Sequence, residues 1–254
     1  MEHQSSILTL RRPEGLAAVA ILICSFSCAA YAQSTHHATA KKTAASKPAA
    51  SDATPADLSA LKSQGSRNAP ITMEVFEDFE CPSCGYFYEH TLKQVIADYV
   101  ASGKVYLIHR DFPLPIHRYG KEAARWANAG ARIGKFRELE AALFDNQEAW
   151  SRDGDIEKYV SAALTPAEYK RVQQLMAGCA TTAAGVKPAT FSVNAAQGCA
   201  LDAGIDKDVA LGNQIQVGST PTFVVTCKGQ RYPPASAAIS YPVLKQFFDE
   251  LLKQ

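Results

Sequence analysis

Several things are missing from this sequence, and each absence narrows the function. The formal net charge is only +1 and no contiguous Lys/Arg stripe exists, so nothing marks a nucleic-acid surface. No internal repeat is present, which removes solenoids and propellers. Long apolar runs are lacking too. The one sustained stretch, Leu16 to about Ala30, covers roughly 15 residues, short of the ~20 that a membrane span needs. Methionine is scarce. Met73 and Met176 are the only ones after Met1, and neither adjoins a cysteine pair, which weighs against a copper(I) site. There is no second Cys-x-x-Cys, and His90, His109 and His117 form no recognisable ligand pair, so no metal site is expected.

What is present is ordinary globular composition, 47% hydrophobic and 20% charged, over 254 residues. Arg11 and Arg12 precede the apolar stretch, which ends in Ala30-Tyr31-Ala32. A positive start, a short apolar core and a small-x-small site are the marks of a secretory signal peptide, expected over 1–32. An uncleaved anchor and lipidation at Cys28 are the alternatives. Residues 33–56 are Ala, Ser, Lys and Pro-rich with almost nothing to bury, and read as a flexible linker. The folded body is expected over 57–254. Five cysteines fall in it: Cys81, Cys84, Cys179, Cys199 and Cys227. An exported chain meets an oxidising compartment, where paired cysteines persist.

Ile71 to Phe79 reads as a strand, followed at once by a helix whose first turn holds Pro82 and which Ser102-Gly103 stops. Val105 to His109 is a second strand, ended by Pro113 and Pro115. Strand, helix, strand at these lengths makes a βαβ unit with parallel strands. A helical block follows: Gly120–Ile133, Phe136–Asn146, Ile156–Leu164, a helix opened by a capping box at Thr165 and Glu168, and Asp206–Gln216. The stretch Gly178 to Gly198 gives no clear signal. Thr222–Thr226 and Gln230–Tyr232 read as a hairpin. A last helix, Tyr241–Lys253, is expected to be capped by Ser240 and to bury Val243, Leu244, Phe247, Phe248 and Leu251. Of Tyr86, Phe87 and Tyr88, at least one is expected in the core.

The chemistry lies in Cys81-Pro82-Ser83-Cys84. Taken alone, a Cys-x-x-Cys can be half a zinc site or a structural bridge; position decides. Cys81 falls where a strand ends and a helix begins, so unpaired N–H groups and the helix dipole favour its anion. The thiolate is the species that exchanges disulfides. Cys84, one turn on, faces further inward.

Three blocks carry a family resemblance: Phe76-Glu77-Asp78-Phe79-Glu80-Cys81-Pro82-Ser83-Cys84, then His109-Arg110-Asp111-Phe112-Pro113-Leu114, then Gly218-Ser219-Thr220-Pro221-Thr222-Phe223. In this order, within a βαβ…ββα frame, they resemble the DsbA-like branch of the thioredoxin superfamily. The resemblance implies an α/β thioredoxin fold with an inserted helical domain at about 117–216. It implies that Pro221 is cis and faces the cysteine pair, and that the Thr220 backbone holds the substrate strand. It also implies catalytic Cys81 and Cys84 with Pro82 and Ser83 between them, no organic cofactor, thiol-containing exported proteins as substrates, and re-oxidation by a membrane quinone-linked partner of the DsbB or vitamin K epoxide reductase (VKOR) type. Periplasm or cell envelope is the expected location.

The sequence departs from that pattern in two places. Many relatives bury an acid six positions before the first cysteine. Here that position is Val75, with Glu74 beside it and Glu77 further on. Either carboxylate could substitute, although neighbouring strand residues face opposite sides. The plainer expectation leaves both glutamates exposed. Asp78 and Glu80 add negative charge that should oppose the thiolate. The second departure is Ser83, where strong oxidants of this branch carry a histidine. Cys179 and Cys199 are expected to form a structural bridge worth about 3 kcal/mol, with pairing to Cys227 as the alternative. Opposite redox direction, as reductase or isomerase, and non-enzymatic copper or thiol binding are the rival functions.

Overall fold

The structure is a computed structural model and describes residues 58–177, 179, 199, 201–236 and 239–254. The expected signal peptide, linker and most of Gly178–Gly198 lie outside the described residues. Among those described, no helix is long and apolar enough to cross a membrane.

Strand β1 (Ser63–Gln64) is followed by β2 (Ile71–Glu77), whose Ile71, Met73 and Val75 are fully buried on one face. Helix α1 (Pro82–Phe87) continues through a wide turn at Tyr88–Leu92, a short α2 (Lys93–Val95) and a second wide turn at Ile96–Val100. In the wide turns the N–H of Lys93 reaches the Tyr88 carbonyl and that of Ala101 reaches Ile96, five residues back. Strand β3 (Val105–Asp111) runs parallel to β2, from Ile71 opposite Val105 to Glu77 opposite Asp111. It outlasts the expected end at His109 because the ladder continues into the Phe112 N–H, which donates to Glu77 O at 2.8 Å.

Helices α3 (Gly120–Arg132), α4 (Phe136–Asp145), α5 (Gln147–Asp153), α6 (Ile156–Ala162), α7 (Pro166–Met176) and α8 (Asp202–Gln214) come next. Alanines at 123, 124, 127, 129 and 131 let α3 be buried on nearly every side. The capping box of α7 is present, with Thr165 and Glu168 satisfying each other's backbone. No apolar periodicity marks α5. Its Trp150 is fully buried and donates from Nε1 to the Leu143 carbonyl at 2.7 Å.

The chain then returns to the sheet with β4 (Thr222–Cys227), antiparallel to β2, and adds β5 (Gln230–Arg231) and β6 (Ala235–Ser236) on β4. The strand order is β1-β3-β2-β4-β5, with β6 also on β4. Two-residue strands such as β1 and β6 carry no periodicity for a sequence to reveal. Helix α9 (Tyr241–Lys253) buries Leu244, Phe248 and Leu251. Val243 is 53% exposed, off that stripe, and the Ser240 side chain makes no cap bond; Pro242 occupies the first turn instead.

Each sheet face has its own core. Met73, Val75, Phe223 and Val225 pack with α1, α9 and the helical block. Phe76, Phe112, Val217 and Val224 pack on the other face, with Val209 and Leu211 of α8 against them. A Cβ on Gly212 would come within 2.5 Å of the Phe112 ring, so glycine is what lets α8 lie this close. α8 thus packs on the sheet, although the sequence had grouped it with the insertion.

Candidate active site

Cys81 occupies the N-cap position of α1, with extended backbone (φ −73°, ψ 118°) and Pro82 next. Its Sγ lies 3.4 Å from the carbonyl oxygen of Thr220, and the Thr220–Pro221 peptide bond is cis. Pro82, Ser83, Thr220 and Pro221 are thus brought to one place across 139 positions of sequence. Cys84, one turn into α1, is fully buried, and the Asp78 N–H donates to its Sγ at 3.4 Å.

The two sulfurs are electrostatically unlike. The Cys81 thiol is lowered to about 5. The largest cause is a hydrogen bond from the Cys84 thiol. Burial opposes it, while the Thr220 hydroxyl and the backbone N–H groups of Cys84 and Ser83 add to it. Cys84 moves the other way, well above the usual thiol range, through burial first, then the bond to Cys81 and the negative charge of Glu77. One sulfur is prepared as a thiolate and the other is held as a thiol.

The acidic residues beside the motif are not where the sequence put them. Glu77 is buried, 1% exposed, while Glu74 lies on the opposite sheet face and pairs with Arg110 at 2.5 Å. The reason is the two-residue period of a strand: Glu77 shares the buried face of Val75, where it meets His109 and its charge bears on Cys84. That spacing was available in the sequence. Asp78 and Glu80 do not simply add charge at the sulfur. The Asp78 carboxylate accepts from the N–H of Glu80 (2.9 Å) and of Leu114 (2.8 Å) and meets His117 Nδ1 at 2.6 Å. Glu80 accepts from the Tyr119 N–H. Both hold the loop after β3 against the motif.

Sequence reasoning missed three further contributors. Gln147, at the start of α5, donates from Nε2 to the carbonyls of Phe79 (2.6 Å) and Cys81 (2.9 Å) and so ties the helical block to the motif. His109 and Glu140 meet Glu77 in the interior, with His109 Nδ1 at 3.1 Å from Glu77 and 3.6 Å from Glu140. Glu77, His109 and Glu140 are also the one group among the described residues whose ligand atoms, all within 4.8 Å of one another, have the composition to hold a metal ion.

Outside, a groove of about 750 Å³ opens beside the motif, lined by Ser83, Tyr86, His90, Thr220, Pro221 and Tyr241 among others. Phe87 and Tyr88 are core, whereas Tyr86 is 67% exposed and its ring lies 4.3 Å from that of His90. Cys179 and Cys199 are joined by a disulfide, Cα atoms 4.5 Å apart, and Cys227 is a buried free thiol.

A cysteine pair at a helix mouth, opposite a cis-proline at the head of β4, sits in a sheet of mixed direction with an interposed helical block. The family model described as Thioredoxin matches residues 59–240. The chain belongs to the thioredoxin family. Within it the fold is DsbA-like. Wolbachia pipientis alpha-DsbA1 aligns with a TM-score of 0.56 over 75% of this chain and 89% of its own, at 18% identity. BdbD from Bacillus subtilis aligns with a TM-score of 0.55 over 76% and 93%, also at 18% identity. Likeness at that identity concerns the fold.

Among curated relatives, the "Na(+)/H(+) antiporter NhaA 3" of Salinispora tropica is 28% identical over 191 residues, 75% of this thioredoxin-family chain and 25% of the antiporter. The "Probable disulfide bond formation protein D" of Bacillus anthracis is 29% identical over 106 residues, 42% of this chain and 47% of that protein. The chain therefore spans about a quarter of the one and about half of the other.

Proposed function

We propose that this protein is an exported thiol-disulfide oxidoreductase that oxidises cysteine pairs of other exported proteins through a Cys81–Cys84 disulfide. A client thiolate attacks Cys81. A mixed disulfide forms, and Cys84 leaves with the electron pair as a thiolate and takes up a proton. The second client thiol, having given up its proton, then displaces Cys81, so the client gains a disulfide and the enzyme is left with a Cys81 thiolate and a Cys84 thiol. A membrane quinone-linked partner of the DsbB or VKOR type returns it to the oxidised form. Thr220 and Pro221 hold the client backbone beside the sulfur, in the manner of strand addition.

The observation that carries the reading is the contact of Cys81 Sγ with the Thr220 carbonyl at the head of α1. The low proton affinity of Cys81 favours the oxidising direction over reductase or isomerase work, because a stabilised thiolate makes the reduced enzyme the preferred product. Export to the periplasm or cell envelope rests on Arg11, Arg12 and the apolar run that follows. The test is trapping. A Cys84→Ala variant expressed with its leader should accumulate mixed disulfides through Cys81, and the wild-type protein should oxidise a reduced two-cysteine peptide. Absence of both would refute the reading.

A further inference from the structure

Three ionisable side chains from separate elements meet in the interior: Glu77 of β2, His109 of β3 and Glu140 of α4, none more than 3% exposed. The parallel register sets Val75 opposite His109, so His109 and Glu77 share one face of the sheet, and α4 brings Glu140 to them. Positions 77, 109 and 140 are too far apart to show as a ligand spacing in the sequence.

Their facing atoms are close but unbonded. His109 Nδ1 lies 3.1 Å from Glu77 Oε2 and 3.6 Å from Glu140 Oε1. Both nitrogens of His109 and both oxygens of Glu77 are nevertheless shut off from water, without a hydrogen-bond partner among the described residues. Protein interiors rarely leave such groups unpaired. At 3.1 Å the distance suits a hydrogen bond, and only the alignment is wrong. Around a bound ion that combination is the expected one. Ligand atoms about 2.0–2.1 Å from a tetrahedral zinc stand roughly 3.3 Å apart, and each aims at the ion rather than at its neighbour. Here the three ligand atoms all lie within 4.8 Å of one another.

The surroundings fit the same reading. Arg137 Nη1 donates to Glu140 Oε2 at 2.5 Å, which leaves Oε1 on the side of His109. Asp111 Oδ1 stands 3.3 Å from His109 Nε2, while Lys62 and Asn128 hold its other oxygen. An anchored carboxylate behind the ring is the usual support of a metal-bound histidine. The rings of Phe79 and Phe136 lie 5.1 Å from the imidazole, stacked and edge-on, and wall the cluster with apolar surface.

We propose that Glu77, His109 and Glu140 form a binding site for one zinc ion, held by His109 Nδ1, by Glu140 Oε1 and by both oxygens of Glu77. An imidazole among few ligands favours zinc over calcium or magnesium, which take six or more oxygens. The two carboxylates balance the charge of the ion, so the cluster is neutral where no water reaches it. The ion clamps the two parallel strands to α4 and thereby ties the sheet to the helical block. It takes no part in electron transfer, and the proposal does not depend on the direction in which Cys81 and Cys84 exchange disulfides.

The test uses tag-free full-length protein in its oxidised form, where the Cys81–Cys84 disulfide keeps these two thiols from competing for metal. The protein is stripped with a chelator, then titrated with zinc chloride against a chromophoric chelator. One equivalent of zinc should bind, and the thermal midpoint should rise by several degrees. Glu140→Gln and His109→Gln should each weaken that equivalent about a hundredfold or more and abolish the rise. Cobalt(II) in the wild-type protein should give the intense visible bands of a four-coordinate site without a sulfur charge-transfer band. That spectrum carries the test if neither variant folds. A wild-type protein that takes no zinc from the chelator overturns the proposal. So does an equivalent retained undiminished by both variants, which places the metal elsewhere in the chain, or a cobalt spectrum with the weak bands of six-coordination.

Discussion

Cys81 Sγ lies 3.4 Å from the carbonyl oxygen of Thr220, a residue 139 positions further along the chain. The contact joins the start of α1 to the head of β4, so the reactive sulfur and the edge that would hold a substrate strand are made by one fold. The electrostatic state of the Cys81 sulfur at this contact, set first by its hydrogen bond with the Cys84 thiol, has measurable consequences.

The first concerns pH and stability of the reduced protein. Cys81 is lowered in the folded state from an ordinary value of 9.0 to about 5. A depressed acid contributes stability that is full above pH 9, declines as pH falls between the two values, and is gone below about 5. The disulfide form has no such titration. Reduced protein should therefore gain stability over oxidised protein as pH rises from 4 through 8. Urea unfolding of both forms across that range checks this, with thiolate absorbance giving the Cys81 midpoint; a midpoint near 8.5 would contradict it.

Redox potential follows from the same asymmetry. A stabilised Cys81 thiolate makes the disulfide oxidising, while Ser83 supplies no positive charge to take this further. Equilibration with glutathione should give a value between those of thioredoxin and the strongest DsbA oxidants, roughly −270 to −120 mV.

Gln147 is the clasp between the helical block and the motif. A Gln147→Ala variant loses two hydrogen bonds, to Phe79 O and Cys81 O; the Phe79 carbonyl loses its donor, while the Cys81 carbonyl keeps the N–H groups of Cys84 and Gly85. A loss of about 1–3 kcal/mol is expected in urea unfolding, together with slower peptide oxidation. Unfolding without loss of oxidation rate would mean that the clasp serves stability alone.

Lys62 is fully buried and pairs with Asp111 and, at 2.8 Å, with Asp208. Replacing it by Met removes the cation shared by two buried carboxylates, of which Asp208 keeps Arg110 and Asp111 keeps the Asn128 amide, so the expected cost is about 3 kcal/mol. Its ammonium is raised and Asp111 is held low by this pairing. The Lys62→Met/Asp111→Asn double variant should recover part of the loss. Additive losses would show the two side chains to be energetically independent.

Local physics made the motif legible. That Cys81 heads a helix follows from a strand pattern ending at Phe79 and a proline at the first helical position, both within a few residues of the sulfur. The parallel pairing of β2 with β3 follows as simply, from a crossover of helical length. Tertiary structure decided what each acid beside the motif meets. The strand's period assigns Glu74 and Glu77 to opposite faces, but only the fold sets Arg110 beside Glu74 and His109 and Glu140 beside Glu77. It also decided that Gln147, in a helix without a periodic signature, reaches the Cys81 carbonyl. Burial and charge pairing depend on segments distant in the chain, and no window of sequence contains both partners.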